Sequence, residues 1–157
     1  MSDSVREKIC QAMLARFAAI SVTNGFKTNF VTVKRWFPED FNDDQLPALN
    51  VKDVKCSFTD EGNNRAHDFI LEVHAEAFSK PGTNWGASSV EMLNDLSKAI
   101  GSDMYWTLSS ERLAYRTTPF EDETAMDQKD TIKAAVRMKF KVHFRTAPFD
   151  PYTNRIS

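Results

Sequence analysis

Residues 134–145 read AAVRMKFKVHFR, the most regularly patterned stretch of the chain. Apolar side chains occupy every second position: Ala134, Val136, Met138, Phe140, Val142 and Phe144. Basic or titratable side chains fill the positions between them: Arg137, Lys139, Lys141, His143 and Arg145. Because successive side chains of a strand point to opposite faces, this alternation predicts a strand with one buried and one wet face. Such a strand belongs to an antiparallel or mixed sheet.

Upstream segments have the composition of further strands. Residues 69–78 alternate in the same way, residues 30–37 are rich in branched and aromatic side chains, and LPAL at 46–49 leads into a strand that reaches Phe58. A Gly-Asn-Asn turn at 62–64 separates two of these strands. We predict another extended segment over 104–118.

Two helices are predicted around these strands. The first runs from Ser4 to Ile20, because Ser4 and Glu7 have the spacing of a capping box and apolar residues then recur at steps of three and four. The second starts near Ser88, and its apolar stripe consists of Val90, Leu93, Leu96 and Ile100. The predicted order is α-β-β-β-α-β-β, which indicates an α+β fold. We expect a two-layer sandwich in which both helices pack on one face of a mixed, mainly antiparallel sheet.

Length and charge narrow the class of protein. The 157 residues suit a single domain, predicted over 1–146, with an extended tail at 147–157 whose removal leaves the fold intact. The net charge of −2 lacks the strongly basic footprint of a dedicated duplex-DNA binder. The sequence predicts no membrane span and no signal peptide. Cys10 and Cys56 lack metal-ligand spacing and are interpreted as small core residues of a cytoplasmic protein.

Motifs of catalysis and cofactor binding are not found in the sequence. Residues 82–86 contain two glycines but lack the Lys-Ser/Thr ending of a phosphate-binding loop. There is no nucleophile elbow and no pair of histidines at helical spacing around a glutamate. We therefore predict a protein that is not an enzyme and has no cofactor or metal.

Charged residues line the wet faces of two predicted strands. Glu72, His74 and Glu76 share one face, where they could serve as metal ligands or pair with charges on a neighbouring strand. The natural partner is the basic face at positions 137–145, formed by Arg137, Lys139, Lys141, His143 and Arg145. That face could also meet phosphates, but it lacks the interleaved aromatic residues of a single-strand stacking platform. Pairing within the chain or a protein interface is the favoured interpretation, and direct nucleic-acid binding is not expected.

Large apolar residues fall in segments predicted to be exposed. Two acidic loops are predicted at 38–45 and 119–129, and the aromatic residues in or beside such segments are Phe41, Trp85, Phe120, Phe149 and Tyr152. Aromatic residues gathered in loops and a tail are typical of surfaces that become buried on assembly. The alternative is that the loops fold back and cover the sheet edge.

The length, the order of elements and several local strings resemble the tail terminator family of long-tailed bacteriophages, also called tail-completion or protein U-like proteins. The resemblance covers about 120 residues as a pattern of elements. Its parts are the N-terminal helix Val5 to Ile20, LPALNV at 46–51 before a strand, FILEVHA at 69–75, the helix Val90 to Ile100 and the closing strand Val136 to Arg145. The acidic loop at 119–129 and the residues beyond Ala147 make this chain longer than compact members of the family.

The resemblance implies a structural virion protein. Such a protein assembles as a ring, typically a hexamer, on the last ring of the tail tube, stops its polymerisation and presents the surface that joins the head. Its partners would be its own copies, the tail tube protein and the head–tail connector, and it would act in the host cytoplasm before residing in the virion tail. The alternatives are a neck or connector protein of the same virion and a small-molecule-binding α+β domain.

Overall fold

The computed structural model describes residues 3–59, 65–82, 84–127 and 133–156. The turn predicted at 62–64 lies outside these residues. The α+β class is confirmed, with two helices and a mixed sheet. The elements are α1 (Val5–Ala18), β1 (Thr32–Arg35), β2 (Ala48–Phe58), β3 (His67–Phe78), α2 (Trp85–Ser102), β4 (Arg116–Asp127), β5 (Lys133–Ala147) and β6 (Asp150–Asn154).

The strands form one sheet in the order β1-β2-β3-β5-β4, and β6 also pairs with β5. β1 runs parallel to β2, whereas the other pairings are antiparallel. The predicted strand at 134–145 is confirmed as β5, which pairs with β3 over twelve residues in an unbroken register from His67↔Thr146 to Phe78↔Ala135. β5 therefore lies inside the sheet, and its alternating pattern reflects one face packed on helices and one left open.

The main core fills the space between the helices and the sheet. Apolar residues of α1 and α2 pack on the buried positions of β2, β3 and β5. At its centre the rings of Phe17, Trp106 and Phe140 contact one another, and the Trp106 indole N–H donates to the Thr117 hydroxyl at 2.9 Å. The opposite face of the sheet carries no helix in the described part of the chain; we call it the open face.

A smaller apolar cluster covers one end of the open face. Phe41 and Leu46, from the segment between β1 and β2, pack with Ala48, and the partly buried rings of Phe37 and Phe78 complete the cluster. Phe41 is 7% exposed, so the prediction that it is an exposed loop residue is wrong. The segment folds back because Phe78 projects from the open face of β3 and would otherwise present its ring to water.

One predicted loop and one predicted extended segment are corrected by the structure. The stretch at 119–129, predicted to be a loop, is strand β4 as far as Asp127, because its carboxylates face cations of β5. The extended segment predicted over 104–118 is instead a loop up to Tyr115, with an isolated bridge between Leu108 and Glu111. Trp106 anchors that loop in the core.

The end of the chain is also corrected. Residues 147–157 were expected to form an extended tail, but the chain turns at Pro148 and Phe149, and β6 then pairs with β5. The side-chain amide of Asn154 donates to the carbonyl of Arg112 at 2.6 Å, which ties β6 to the Trp106 loop. β6 is therefore part of the domain.

The second helix starts one turn earlier than predicted. Asn84 caps it through a hydrogen bond from the backbone N–H of Ala87 to its side-chain oxygen at 3.4 Å, and Trp85 is its first residue. The buried stripe also differs from the predicted one, because Val90 is exposed whereas Met92 and Asp95 are buried. The cap of α1 is confirmed, because the Ser4 hydroxyl accepts from the N–H of Glu7 at 3.1 Å.

Candidate assembly surfaces

The open face carries the charged residues singled out in the sequence. In the register of β3 with β5, Glu72 lies opposite Lys141, His74 opposite Lys139 and Glu76 opposite Arg137. The strand β4 then places Glu121 beside Lys139 and Glu123 beside Arg137. The basic column of β5 is thus flanked on both sides by acidic residues, and the predicted pairing of the two strand faces is confirmed.

Ion pairs link the columns. Arg137 contacts Glu76 at 3.3 Å and Glu123 at 3.5 Å, and Lys139 contacts Glu121 at 3.2 Å and Glu123 at 3.0 Å. The hydrogen bond from Lys139 lowers the pKa of Glu123, and the same bond raises the pKa of Lys139. These cations therefore already have carboxylate partners within the chain, which argues against their use as a phosphate-binding stripe.

The remaining charged residues of this group have local partners too. His74 Nε2 lies 2.9 Å from a carboxylate oxygen of Glu72, the ammonium of Lys141 lies 4.9 Å from the ring centroid of Phe120, and Arg145 pairs with buried Asp68. Within the described residues no group of three His, Cys, Asp or Glu side chains is placed to hold a metal ion. The open face is therefore a surface of charged side chains that are paired with one another.

The predicted aromatic contact residues do not share one surface. Phe41 belongs to the small cluster, and Trp85, also predicted to be exposed, packs against the main core, so both predictions of exposure are wrong. Phe120 is 44% exposed on β4, where it lies beneath Lys141. Phe149 and Tyr152 are exposed as predicted, at 91% and 49%, and both lie at the β5–β6 end of the sheet.

An aromatic group forms at this end of the sheet. We call Phe58, His67, Phe69 and Phe149 the aromatic end. The ring centroids are 4.7 Å apart for Phe58 and Phe69 and 4.7 Å apart for His67 and Phe149, while Phe69 stacks on buried Phe144 at 5.0 Å. Phe58 is 70% exposed and was missed as a contact residue, since its alternation with Cys56 suggested a core position. Phe58 is the last apolar residue before a predicted turn, and that position at the end of a strand could have indicated an exposed ring.

Phe149 has a backbone conformation that is unfavourable for phenylalanine. Among the described residues, three aromatic ones have positive φ: Trp36 (52°), Trp106 (50°) and Phe149 (55°). Trp36 uses this conformation to donate its indole N–H to Asp53 at 3.0 Å, and Trp106 uses it to fill the core. Phe149 sits after Pro148 in a two-residue turn, at the position where Gly or Asn is preferred. Its conformation costs about 1 kcal/mol, and its ring is left 91% exposed.

The other end of the sheet is acidic. We call residues 39–45 the acidic segment. Its exposed carboxylates include those of Glu39, Asp43 and Asp44. A single 3-10 turn at Asp43–Gln45 orders it, and the side chain of Gln45 accepts from the N–H of Asn42 at 2.8 Å. The segment leads directly into β2, whose far end is Phe58. At about 3.3 Å per residue, the two ends lie roughly 30 Å apart.

A groove of about 440 Å³ lies beside β1 and the start of α2. Polar side chains at its rim include Lys27, Lys80, Ser88 and Glu91. The nearby buried carboxylate of Asp95 accepts the backbone N–H groups of Lys27 and Thr28 at 2.8–3.1 Å, so it acts as a brace for the loop.

Two comparisons with known proteins assign no family to this chain. Neither the protein-family models nor the curated protein sequences contain a match. None of the helices in the described ranges is long and apolar enough to cross a membrane. Function must therefore be inferred from the surfaces.

Proposed function

We propose that this protein is a structural component of a phage virion, a tail terminator that caps the tail tube as a ring. It would stop tube polymerisation and provide the surface to which the head is joined, acting in the host cytoplasm and remaining at the head-proximal end of the tail. The proposal is supported by the order of elements, since each part of the resemblance corresponds to an element of the fold: α1, β2, β3, α2 and β5.

The observation that carries the proposal is the exposure of Phe149. Its ring is 91% exposed on a turn whose backbone favours Gly or Asn, and its edge contact with His67 leaves most of the ring open to solvent. Exposed aromatic residues on rigid elements are typical of the centres of protein interfaces. An exposed aromatic ring of this kind favours a protein that acts by assembly over one that acts within a pocket.

The mechanism of capping is geometric. Subunits that contact one another through two different surfaces form a closed ring when the rotation between them closes, and a filament when it does not. A closed ring seated on the last ring of the tube covers the surface on which the next tube ring would assemble. No bond is made or broken, and the ion-paired open face and ordered sheet ends provide a rigid body for such packing.

The proposal is tested by adding the purified chain to polymerising tail-tube protein encoded in the same genome. We expect tubes that stop growing once the chain is added, with extra density at one end in electron micrographs. Phe149→Asn should lose the capping, while Val90→Gln, which changes an exposed apolar residue on α2, should keep it. Tubes of unchanged length with no end density would contradict the proposal.

A neck or connector protein is the alternative of the same class. It would bind a different ring and assemble only with that partner, so ring formation by the purified chain alone would favour the terminator. The groove beside β1 is the observation that favours the small-molecule alternative. A rise in melting temperature with a small ligand, absent in a variant that fills the groove such as Ser88→Trp, would support that alternative.

A further inference from the structure

We infer that the subunit contact is head to tail: the aromatic end of one copy docks on the acidic segment of the next copy. This inference rests on the proposed ring assembly and names the two surfaces that form the ring. It uses opposite ends of the same sheet, which have complementary chemistry.

The aromatic end combines exposed rings with positive charge. Phe58 and Phe149 provide the apolar area. Arg116, the first residue of β4, lies opposite His143, and Arg155 donates its backbone N–H to the carbonyl of Arg145, so these two exposed arginines lie at this end, where Asp150 also lies near Arg155. Phenylalanine and arginine are enriched in protein interfaces.

The acidic segment has the complementary chemistry. Asp43 and Asp44 lie in an ordered turn and Glu39 precedes them, all with exposed side chains. Val31 is 60% exposed and donates its backbone N–H to the carbonyl of Pro47 at 2.8 Å, just beyond the segment, where it lines the groove that also contains Lys27 and Lys80. This end therefore offers carboxylates for the arginines and an apolar residue for the rings.

The separation of the two surfaces determines the symmetry of the contact. They lie at opposite ends of β2, roughly 30 Å apart, so a copy that donates its aromatic end to one neighbour leaves its acidic segment available to another. Contacts between two different surfaces are heterologous, and they give a ring when the rotation between neighbouring subunits closes. Charge complementarity across them favours this pairing over like-to-like contact of the aromatic ends, where arginines would face arginines.

Two charge-reversed variants test the contact. Asp43→Lys/Asp44→Lys makes the acidic segment basic, and Arg116→Glu/Arg155→Glu makes the aromatic end acidic. Each variant alone should self-associate about a hundredfold more weakly than wild type, since like charges then face each other. An equimolar mixture should recover the wild-type mass, because alternating subunits restore opposite charges at every contact.

Matched controls add charge elsewhere. Asn94→Lys/Ser97→Lys and Asn94→Glu/Ser97→Glu place charges on exposed positions of α2 and should leave the mass unchanged. Phe149→Asn should weaken association at least tenfold without lowering the melting temperature. Circular dichroism melts show whether each variant is folded.

Sedimentation at rising concentration separates the outcomes. Charge-reversed variants that assemble as well as wild type would overturn the proposed head-to-tail contact. The proposal that the protein caps the tail tube would not be affected by that result. Wild type that stays monomeric up to about 1 mM would also overturn the head-to-tail contact, and the tube assay then still decides the proposed function. Two-subunit complexes would indicate an isologous dimer, and binding of a single-stranded oligonucleotide that Arg116→Glu/Arg155→Glu abolishes would assign the aromatic end to nucleic acid; either result overturns the inference.

Discussion

At the scale of single residues, the carboxylate of Asp53 joins three elements. It accepts from Arg6 of α1 at 2.8 Å, from Arg35 of β1 at 3.0 Å and from the indole N–H of Trp36 at 3.0 Å. Burial raises the pKa of Asp53, but the hydrogen bonds from Arg35 and Arg6 outweigh it and lower the pKa to about 2. The folded state therefore favours the ionised form.

Replacing this carboxylate should weaken the attachment of α1 to the sheet. We expect Asp53→Asn to lower the free energy of unfolding by about 2 kcal/mol at pH 7, because two guanidinium groups lose their shared partner. Urea denaturation followed by circular dichroism measures the change. The control is Asp44→Asn, an exposed carboxylate of the acidic segment, which should change stability little; equal losses in both variants would contradict this role of Asp53.

The same group predicts a pH dependence. Since the pKa falls from 3.8 to about 2 on folding, the unfolded chain binds the proton more tightly, and Asp53 contributes stability above about pH 4 that is lost as the pH falls towards 2. The free energy of unfolding should therefore drop more steeply between pH 4 and 2 in wild type than in Asp53→Asn. Parallel curves for the two proteins would show that Asp53 is not the group responsible.

Replacing Phe149 should affect assembly without reducing stability. We expect Phe149→Asn to be as stable as wild type or more stable by up to about 1 kcal/mol, because Asn adopts positive φ at lower cost. Its assembly should nevertheless weaken. Thermal melts and light scattering on the same samples measure both, and a variant that loses stability would indicate a structural role for the ring.

At the scale of elements, sequence patterns predicted the buried strands and helices well. The alternation at 134–145 and 69–78 follows directly from one packed and one hydrated face. The wrong prediction at β4 has a physical cause. Glu and Asp are depleted in strands, so an acidic stretch is not typical of a strand. These carboxylates are stabilised in a strand by Lys139 and Arg137 of β5, and that pairing is visible only once the two strands are placed side by side. Phe41 was misjudged for a similar reason, since its partner Phe78 lies on another element.

The stability of β4 should depend on that pairing. We expect Lys139→Glu to speed amide hydrogen exchange across Glu121–Glu123, because three like charges would then lie together on the exposed edge. Exchange in α1 should stay unchanged. Lys139→Arg, which retains the charge, should exchange like wild type; unaltered exchange in Lys139→Glu would mean that backbone pairing alone holds β4.

At the scale of the whole molecule, the sheet separates two chemically different ends. The fold class was predictable, because it follows from patterns within each element. The polarity from the acidic segment to the aromatic end was not, because it depends on strand order and on the turn that brings β6 back beside β5. That turn also means that removing residues 147–157 would expose part of the sheet, so point variants at Phe149 test assembly more cleanly than a truncation.

Light scattering of the intact chain over a range of concentrations tests the proposed assembly most directly. We expect the mass to rise with concentration towards a closed ring of about six subunits, and the rise to disappear in Phe149→Asn while the folded signal remains. A mass that stays at one subunit throughout, or that rises equally in Phe149→Asn, would contradict ring formation through the aromatic end.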